Sequence, residues 1–448
     1  MINRRKYAKC ALIIGVLAGV LLVGCKGSEP VDHGPQDIPT PVASDVTTAP
    51  SPIPTPIVDV PKDRYDAVSV PRSADKESAT ETVSDVEFIF NPFYAKSEGD
   101  VSIVDKTQLK LFDVDASGNA RGGIDYPCLA YSVEKIPLAS MNGDFSDVSD
   151  LYEGYRIVLK EGITFADGSD VTADDVLFSI KTLAHEDYDG AGEIGKIGVY
   201  GMEQYNTQIS DETRATAEKY AYYDINEDGT SPFTGEEATK WQEVWDCFDE
   251  AGILMTEDIV KYVNEQYPID AYVQTYLSTK LTYSHVEADP SLQILYAMRL
   301  WGGYAKKYVA STNTMTDLNG VEHNLTEEPL TIEDFWVLIR DFYGYNLGNI
   351  DGLNYESPFE YSNKYFEDYL ADAYCLNHKG VDEIAGIVIS EKTFEDGAVR
   401  KCIDVVIDKN EKLADLNVYV VEKKLYENDV KNNTASGGAG EYVISKVS

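Results

Sequence analysis

Residues 155–183 constrain the fold more than any other stretch, because three kinds of local signal follow one another there in a fixed order. Tyr155, Ile157 and Leu159 alternate with Arg156, Val158 and Lys160, the two-residue period of a strand with one buried face. Asp167-Gly168 then predicts a tight turn, since glycine tolerates positive φ and an aspartate bonds its own backbone two residues on. Thr172 is placed as a helix N-cap with Asp175 three residues later, the spacing at which each side chain satisfies the other's backbone N–H. Asp174 and Asp175 put negative charge on the first turn, where the helix dipole favours it. Val176, Ile180 and Leu183 complete an apolar stripe. These residues dictate strand, turn and capped helix, and by themselves they carry no chemistry.

Their identities say more. The unit resembles the family 5 extracellular solute-binding proteins, the lipoprotein receptors of peptide and nickel ABC importers. Members carry a Lys-x-Gly-x-x-Phe-x-Asp-Gly turn and a Thr-Ala-x-Asp-Val-x-Phe-Ser helix start. Here these stand as Lys160, Gly162, Phe165, Asp167 and Gly168, then Thr172, Ala173, Asp175, Val176, Phe178 and Ser179. Three shorter matches lie in the family's order. Phe90-Asn91-Pro92-Phe93 resembles the opening segment near the ligand. Residues 109–130, with a turn at Asp115 to Gly118, resemble the strands that follow. Gly437 to Tyr442 is similar to a Gly-x-Gly-Pro-Tyr strand, with Glu441 in place of proline. The resemblance covers about 85–190 and 381–448.

The N-terminus is read independently. Arg4, Arg5, Lys6 and Lys9 precede an apolar run, 11–23, too short for a comfortable membrane span. The run ends in Leu22-Val23-Gly24-Cys25, the form of a bacterial lipobox. Residues 1–24 are expected to be a lipoprotein signal and Cys25 the lipidated residue; a plain signal peptide is the alternative. Ten prolines between Pro30 and Pro71 predict an extended tether over 25–84, too poor in apolar surface to fold.

Charge removes one class of partner. The formal charge is −39, and residues 1–24 hold four basic residues and no acidic one, so without them it is −43. Such a surface repels nucleic acid. Enzyme motifs are missing too. The five histidines stand at 33, 185, 285, 323 and 378, with no HExxH, nucleophile elbow or phosphate-binding loop, and no enzyme is expected. Beyond Cys10 and Cys25, four cysteines remain, Cys128, Cys247, Cys375 and Cys402, without metal spacing; disulfides and buried thiols both fit.

From 191 to 380 the text is mostly helical, with candidates at 210–222, 236–251, 257–267, 272–281, 291–309, 331–343 and 363–374. Thr331 and Asp334 repeat the capping logic, and Gly344 stands where a helix stops. Strand patterns return at 384–390, 402–408 and 416–421, with Asp396-Gly397 as a hairpin turn. One stretch invites a metal. Asp224, Asn226, Asp228 and Thr230 alternate as in the first half of an EF-hand loop, but the twelfth position is Gly235, with Glu236 one later. A weak calcium site and an acidic turn between helices both fit. Asp113, Asp115 and Ser117 look similar but lie between strands, where a hairpin turn is expected.

The resemblance implies an α/β fold, a partial periplasmic-binding-protein-like lobe (type II, cluster C). It implies a first domain of 85–120 and 381–448, and a second of 121–380 that includes a helical insertion over about 191–380. It implies a lipid-anchored receptor on the outer side of a bacterial cytoplasmic membrane, passing a peptide or other small solute to an ABC permease without a cofactor. Family members continue past the Gly-rich strand into a second lobe, so the chain is expected to be truncated and impaired in binding. Asn91 is the expected bond to a peptide backbone, with Phe93 and Tyr94 packing on its side chains or closing the core. The alternative is a surface lipoprotein whose helical insertion meets a partner.

Overall fold

The computed structural model describes residues 83–223, 230–344, 364–395, 397–432, 438–440 and 442, and over them the chain is a mixture of helices and small antiparallel sheets. It begins with α1 (Glu98–Thr107), β1 (Leu109–Lys110), β2 (Asp113–Val114), β3 (Ala120–Arg121), β4 (Ala130–Ile136), β5 (Tyr152–Leu159), α2 (Ala173–Ala184) and α3 (Met202–Thr207). A helical part follows: α4 (Asp211–Ala221), α5 (Glu236–Trp245), α6 (Phe248–Gln266), α7 (Asp270–Tyr276), α8 (Tyr283–Glu287) and α9 (Pro290–Leu300). Three short strands interrupt it, β6 (Ala305–Val309), β7 (Thr314–Asp317) and β8 (Glu322–Asn324), before α10 (Ile332–Tyr343) and α11 (Phe366–Asn377). The described chain closes with β9 (Ile387–Thr393), β10 (Val399–Asp408), β11 (Tyr419–Val420) and α12 (Lys423–Tyr426).

The unit at 155–183 folds as its residues dictate. The Asp175 carboxylate accepts from Thr172 N–H at 2.8 Å, and Thr172 Oγ1 accepts from Asp175 N–H at 3.4 Å. Gly168 takes φ +93°, and Asp167 Oδ1 accepts from Ser169 N–H at 2.8 Å. Val176, Ile180 and Leu183 are buried. The turn between β2 and β3 is likewise the expected hairpin: Asp115 Oδ1 accepts from Ser117 and Asn119 N–H. Those donors, with Arg121, hold the Asp115 carboxyl well below the usual carboxylate range.

The largest sheet runs β4-β5-β10-β9, all antiparallel, with Ile157 opposite Ile403 and Arg156 opposite Asp404. Ile157, Ile403, Val405 and Ile407 join one face to the stripe of α2 in a single core that also holds Phe93, Leu111, Phe112 and Val420. The pairing crosses the boundary expected at 381. β5 belongs to 121–380 and β10 to 381–448, yet they pair from Val158–Cys402 to Tyr152–Asp408. The two stretches build one body because each strand alone has an apolar face to bury.

Of the glycine-rich end, expected as a strand, the described residues 438–440 and 442 lie against the end of α1, and none of these four is in a strand. Gly440 N–H donates to the Thr107 carbonyl at 3.0 Å, and Tyr442 N–H to that of Lys106 at 3.1 Å. A Cβ on Gly438 would come within 2.0 Å of the Thr107 oxygen, so the approach itself requires glycine.

The helical part has a second core, with Trp241, Phe248, Met255, Ile259, Trp336, Phe366 and Tyr369 buried together. α10 starts on the Thr331–Asp334 box and stops at Gly344, φ +65°. Three expected helices are corrected. The candidates at 236–251 and 257–267 divide elsewhere: the helix ends at Trp245, and α6 then runs unbroken to Gln266. The candidate at 291–309 ends at Leu300, because Gly302 and Gly303 turn left-handed, φ +85° and +68°, and release the chain into β6. Among the described residues no helix is long and apolar enough to cross a membrane. Cys128, Cys247, Cys375 and Cys402 are free and buried.

Candidate functional site

The opening segment shows what each residue of the expected ligand-binding set does. Asn91 is 2 % exposed. Its Oδ1 accepts from Phe93 N–H at 3.0 Å, and its Nδ2 donates to the Val430 carbonyl at 2.7 Å. The amide therefore ties the start of the described chain to the main chain near its end, at Val430. Phe93 is buried and meets Tyr426 edge-on, ring centres 5.7 Å apart, which is the core-closing role. Tyr94 is half-buried beside Tyr188, with the Lys431 ammonium 5.9 Å from its ring centre. Burial and the neighbouring Asp189 push its hydroxyl above the usual tyrosine range. Of the three, Tyr94 keeps the most open face.

The other expected sites fall mostly elsewhere. Cys25 lies outside the described residues, as do Asp224, Asn226 and Asp228. Thr230 is described and exposed. Glu236 is the first residue of α5, directly after Gly235 at φ +65°, and its charge suits the positive end of that helix. Among the described residues no group of three or more His, Cys, Asp or Glu is placed to hold a metal ion.

Two hollows remain. One, of about 300 Å³, lies between α4 and α11, where Arg214, Glu218, Lys364, Asp368 and Asp372 mix both charges around Cys375. Lys364 pairs there with Asp372 at 3.0 Å. The other, of about 430 Å³, lies at the start of α2, lined by Ser169, Thr172, Asp175, Glu422, Lys423 and Lys424 among others. It is built from the turn-and-cap unit on one side and the residues after β11 on the other. Val421 N–H donates to Ser179 Oγ at 3.0 Å, and Lys423 N–H to Asp175 Oδ1 at 2.8 Å. Glu422, at 5 % exposure, is the functional candidate that reading the chain alone misses. Its signal is a carboxylate directly after the apolar run from Val418 to Val421.

Lys160, the first residue of the family-like turn, is 3 % exposed and donates from Nζ to the Tyr126 carbonyl at 2.6 Å. Burial lowers its ammonium to about 8, against the opposing pull of Cys128 and Asp125. The folded state thus sheds this proton near pH 8 and the unfolded chain near 10.5. Between those values the unfolded chain holds more protons, so this residue's contribution to stability rises with pH there and is lost as pH falls through 8. Lys160→Met should flatten that rise. In urea unfolding, the variant's stability relative to wild type should be higher at pH 7 than at pH 10 by about 2 kcal/mol. A difference that does not change with pH would show that the folded ammonium titrates normally.

Comparison of the chain with protein-family models, with curated proteins and with solved structures finds no match.

Proposed function

We propose that this chain is a lipid-anchored solute-binding component of an ABC importer, built on part of a periplasmic-binding-protein-like fold and held by Cys25 on the outer side of a bacterial cytoplasmic membrane. It captures a peptide or similar small solute without a cofactor or a reaction and passes it to a permease. One observation carries the reading. The stretches that resemble the solute-binding family are distant in sequence, yet Phe93, Phe165, Val176 and Ala439, one or two from each, are buried in one core. Asn91 bonds Val430, Phe93 packs on Tyr426, Ser179 and Asp175 accept from Val421 and Lys423, and Gly440 bonds Thr107. Unrelated chance likenesses have no reason to collect around one core.

Thermal unfolding against pooled short peptides tests capture. A ligand at one hundred times its dissociation constant adds about 2.7 kcal/mol, and the pool holding it should raise the midpoint. Mass spectrometry of membrane-extracted protein should find Cys25 diacylated, whereas an intact Met1 terminus removes the anchor. No shift with any pool favours a second reading, a surface lipoprotein whose helical part meets a protein. That reading draws on the separate core of the helical part and on Val337 and Phe342, which α10 leaves exposed.

A further inference from the structure

The hollow at the start of α2 contains an unanswered charge. Glu422 Oε1 lies 3.2 Å from Ser169 Oγ, but the same hydroxyl lies 2.6 Å from Asp167 Oδ1. A hydroxyl has one proton, and the shorter contact takes it. Glu422 Oε2 is buried and has no hydrogen-bond partner among the described residues. A carboxylate this far from water is costly unless a donor or a positive charge meets it.

Its surroundings define what would meet it. Asp175 is the other buried carboxylate of the hollow, and both its oxygens are taken by Thr172 and the Lys423 N–H. Asp170, Asp174 and Glu427 stand exposed at the rim. The lining holds five carboxylates and two lysines, a net charge of −3. The positive end of α2 faces the same space, but Asp174 and Asp175 already answer it. One buried carboxylate with a vacant oxygen, among exposed acidic groups, suits a single charged donor. It does not suit a divalent ion such as calcium, which gathers six to eight oxygens.

We propose that this hollow binds a primary ammonium group, with Glu422 as its buried counter-charge and the rim carboxylates as secondary acceptors. The group belongs to a free alkylamine or to the amino terminus of a peptide. Three N–H donors on one cation fit one inner and two outer acceptors. The inference does not depend on the transport reading, because a simple amine reports on the hollow whatever the physiological solute.

Thermal unfolding of the full chain in butylammonium chloride, against sodium chloride at equal ionic strength, tests it. The midpoint should rise with butylammonium in wild type and stay level in Glu422→Gln. Glu422→Asp, with a shortened reach, should need about tenfold more amine. Trialanine acting at far lower concentration than butylammonium, with its N-acetylated form inert, assigns the site to a peptide terminus. Equal potency of the two amines assigns it to a free amine. Three results overturn the proposal: no shift with any amine, a shift with calcium chloride alone, or an unchanged amine response in Glu422→Gln. It is also overturned if Lys424→Ala destabilises wild type but not Glu422→Gln, since the chain's own lysine would then already hold the carboxylate.

Discussion

Asp404→Ala should lower the unfolding free energy by about 3 kcal/mol, because it strips a half-buried guanidinium of its buried partner. Asp404 is wholly buried in β10, and Arg156 on β5 grips it with two parallel bonds, Nε–Oδ1 at 2.8 Å and Nη2–Oδ2 at 2.7 Å. The two residues stand directly opposite in the ladder at the middle of the sheet. Truncating the acid leaves a charge whose side chain is 17 % exposed with no bidentate acceptor. Replacing both, as Arg156→Met with Asp404→Leu, should cost much less, since the desolvation penalty disappears together with the attraction. The pair also fixes alignment. A one-residue slip would set Asp404 opposite Tyr155 or Ile157 and turn the apolar face of the strand outward. Urea unfolding of the two single variants and the double completes the cycle. A loss below about 1 kcal/mol for Asp404→Ala, the range of an exposed pair, would refute the buried-pair account.

Elements specified by neighbours in sequence are legible in advance. The turn and cap at 160–183 rest on contacts a few residues apart, and so do the Asp115 turn and the Thr331 box of α10. What escapes is decided at long range. The pairing of β5 with β10 joins residues about 250 positions apart, and no local pattern marks it. The break between α5 and α6 falls at Asp246-Cys247, without glycine or proline. There the packing is set by Trp241 and Trp245 stacked at 5.3 Å and by Phe248 against Phe366 at 4.8 Å. The β6–β8 strands follow a helix whose apolar stripe carries on into them, and Gly302-Gly303 is the one local sign of the change. The site behaves the same way. The contacts of Asn91 with Val430 and of Phe93 with Tyr426 join residues more than 300 positions apart, and no local pattern marks them.

Gly252→Val should destabilise the helical core by about 3 kcal/mol, and Gly252→Ala by less but in the same direction. An interior helical glycine costs about 1 kcal/mol relative to alanine, so at an open position alanine would stabilise. Gly252 lies inside α6, and a Cβ there would come within 2.0 Å of Trp336 Cε2 and 2.2 Å of Cδ2. The indole has little room to retreat. Its Nε1–H donates to Asp249 Oδ1 at 2.8 Å, and Arg340 holds the same oxygen at 3.0 Å. The ring is also stacked on Phe366, with centres 5.9 Å apart, and touches Phe248 at 5.8 Å. A side chain at 252 must either push this aromatic group apart or part α6 from α10. Because both changes act on one contact, Gly252→Ala combined with Trp336→Phe should lose less than the sum of the two single losses. Guanidinium unfolding followed by tryptophan fluorescence measures each variant. Stabilisation by Gly252→Ala would mean that the indole does not lie on the α6 backbone and that the packing of this core is different.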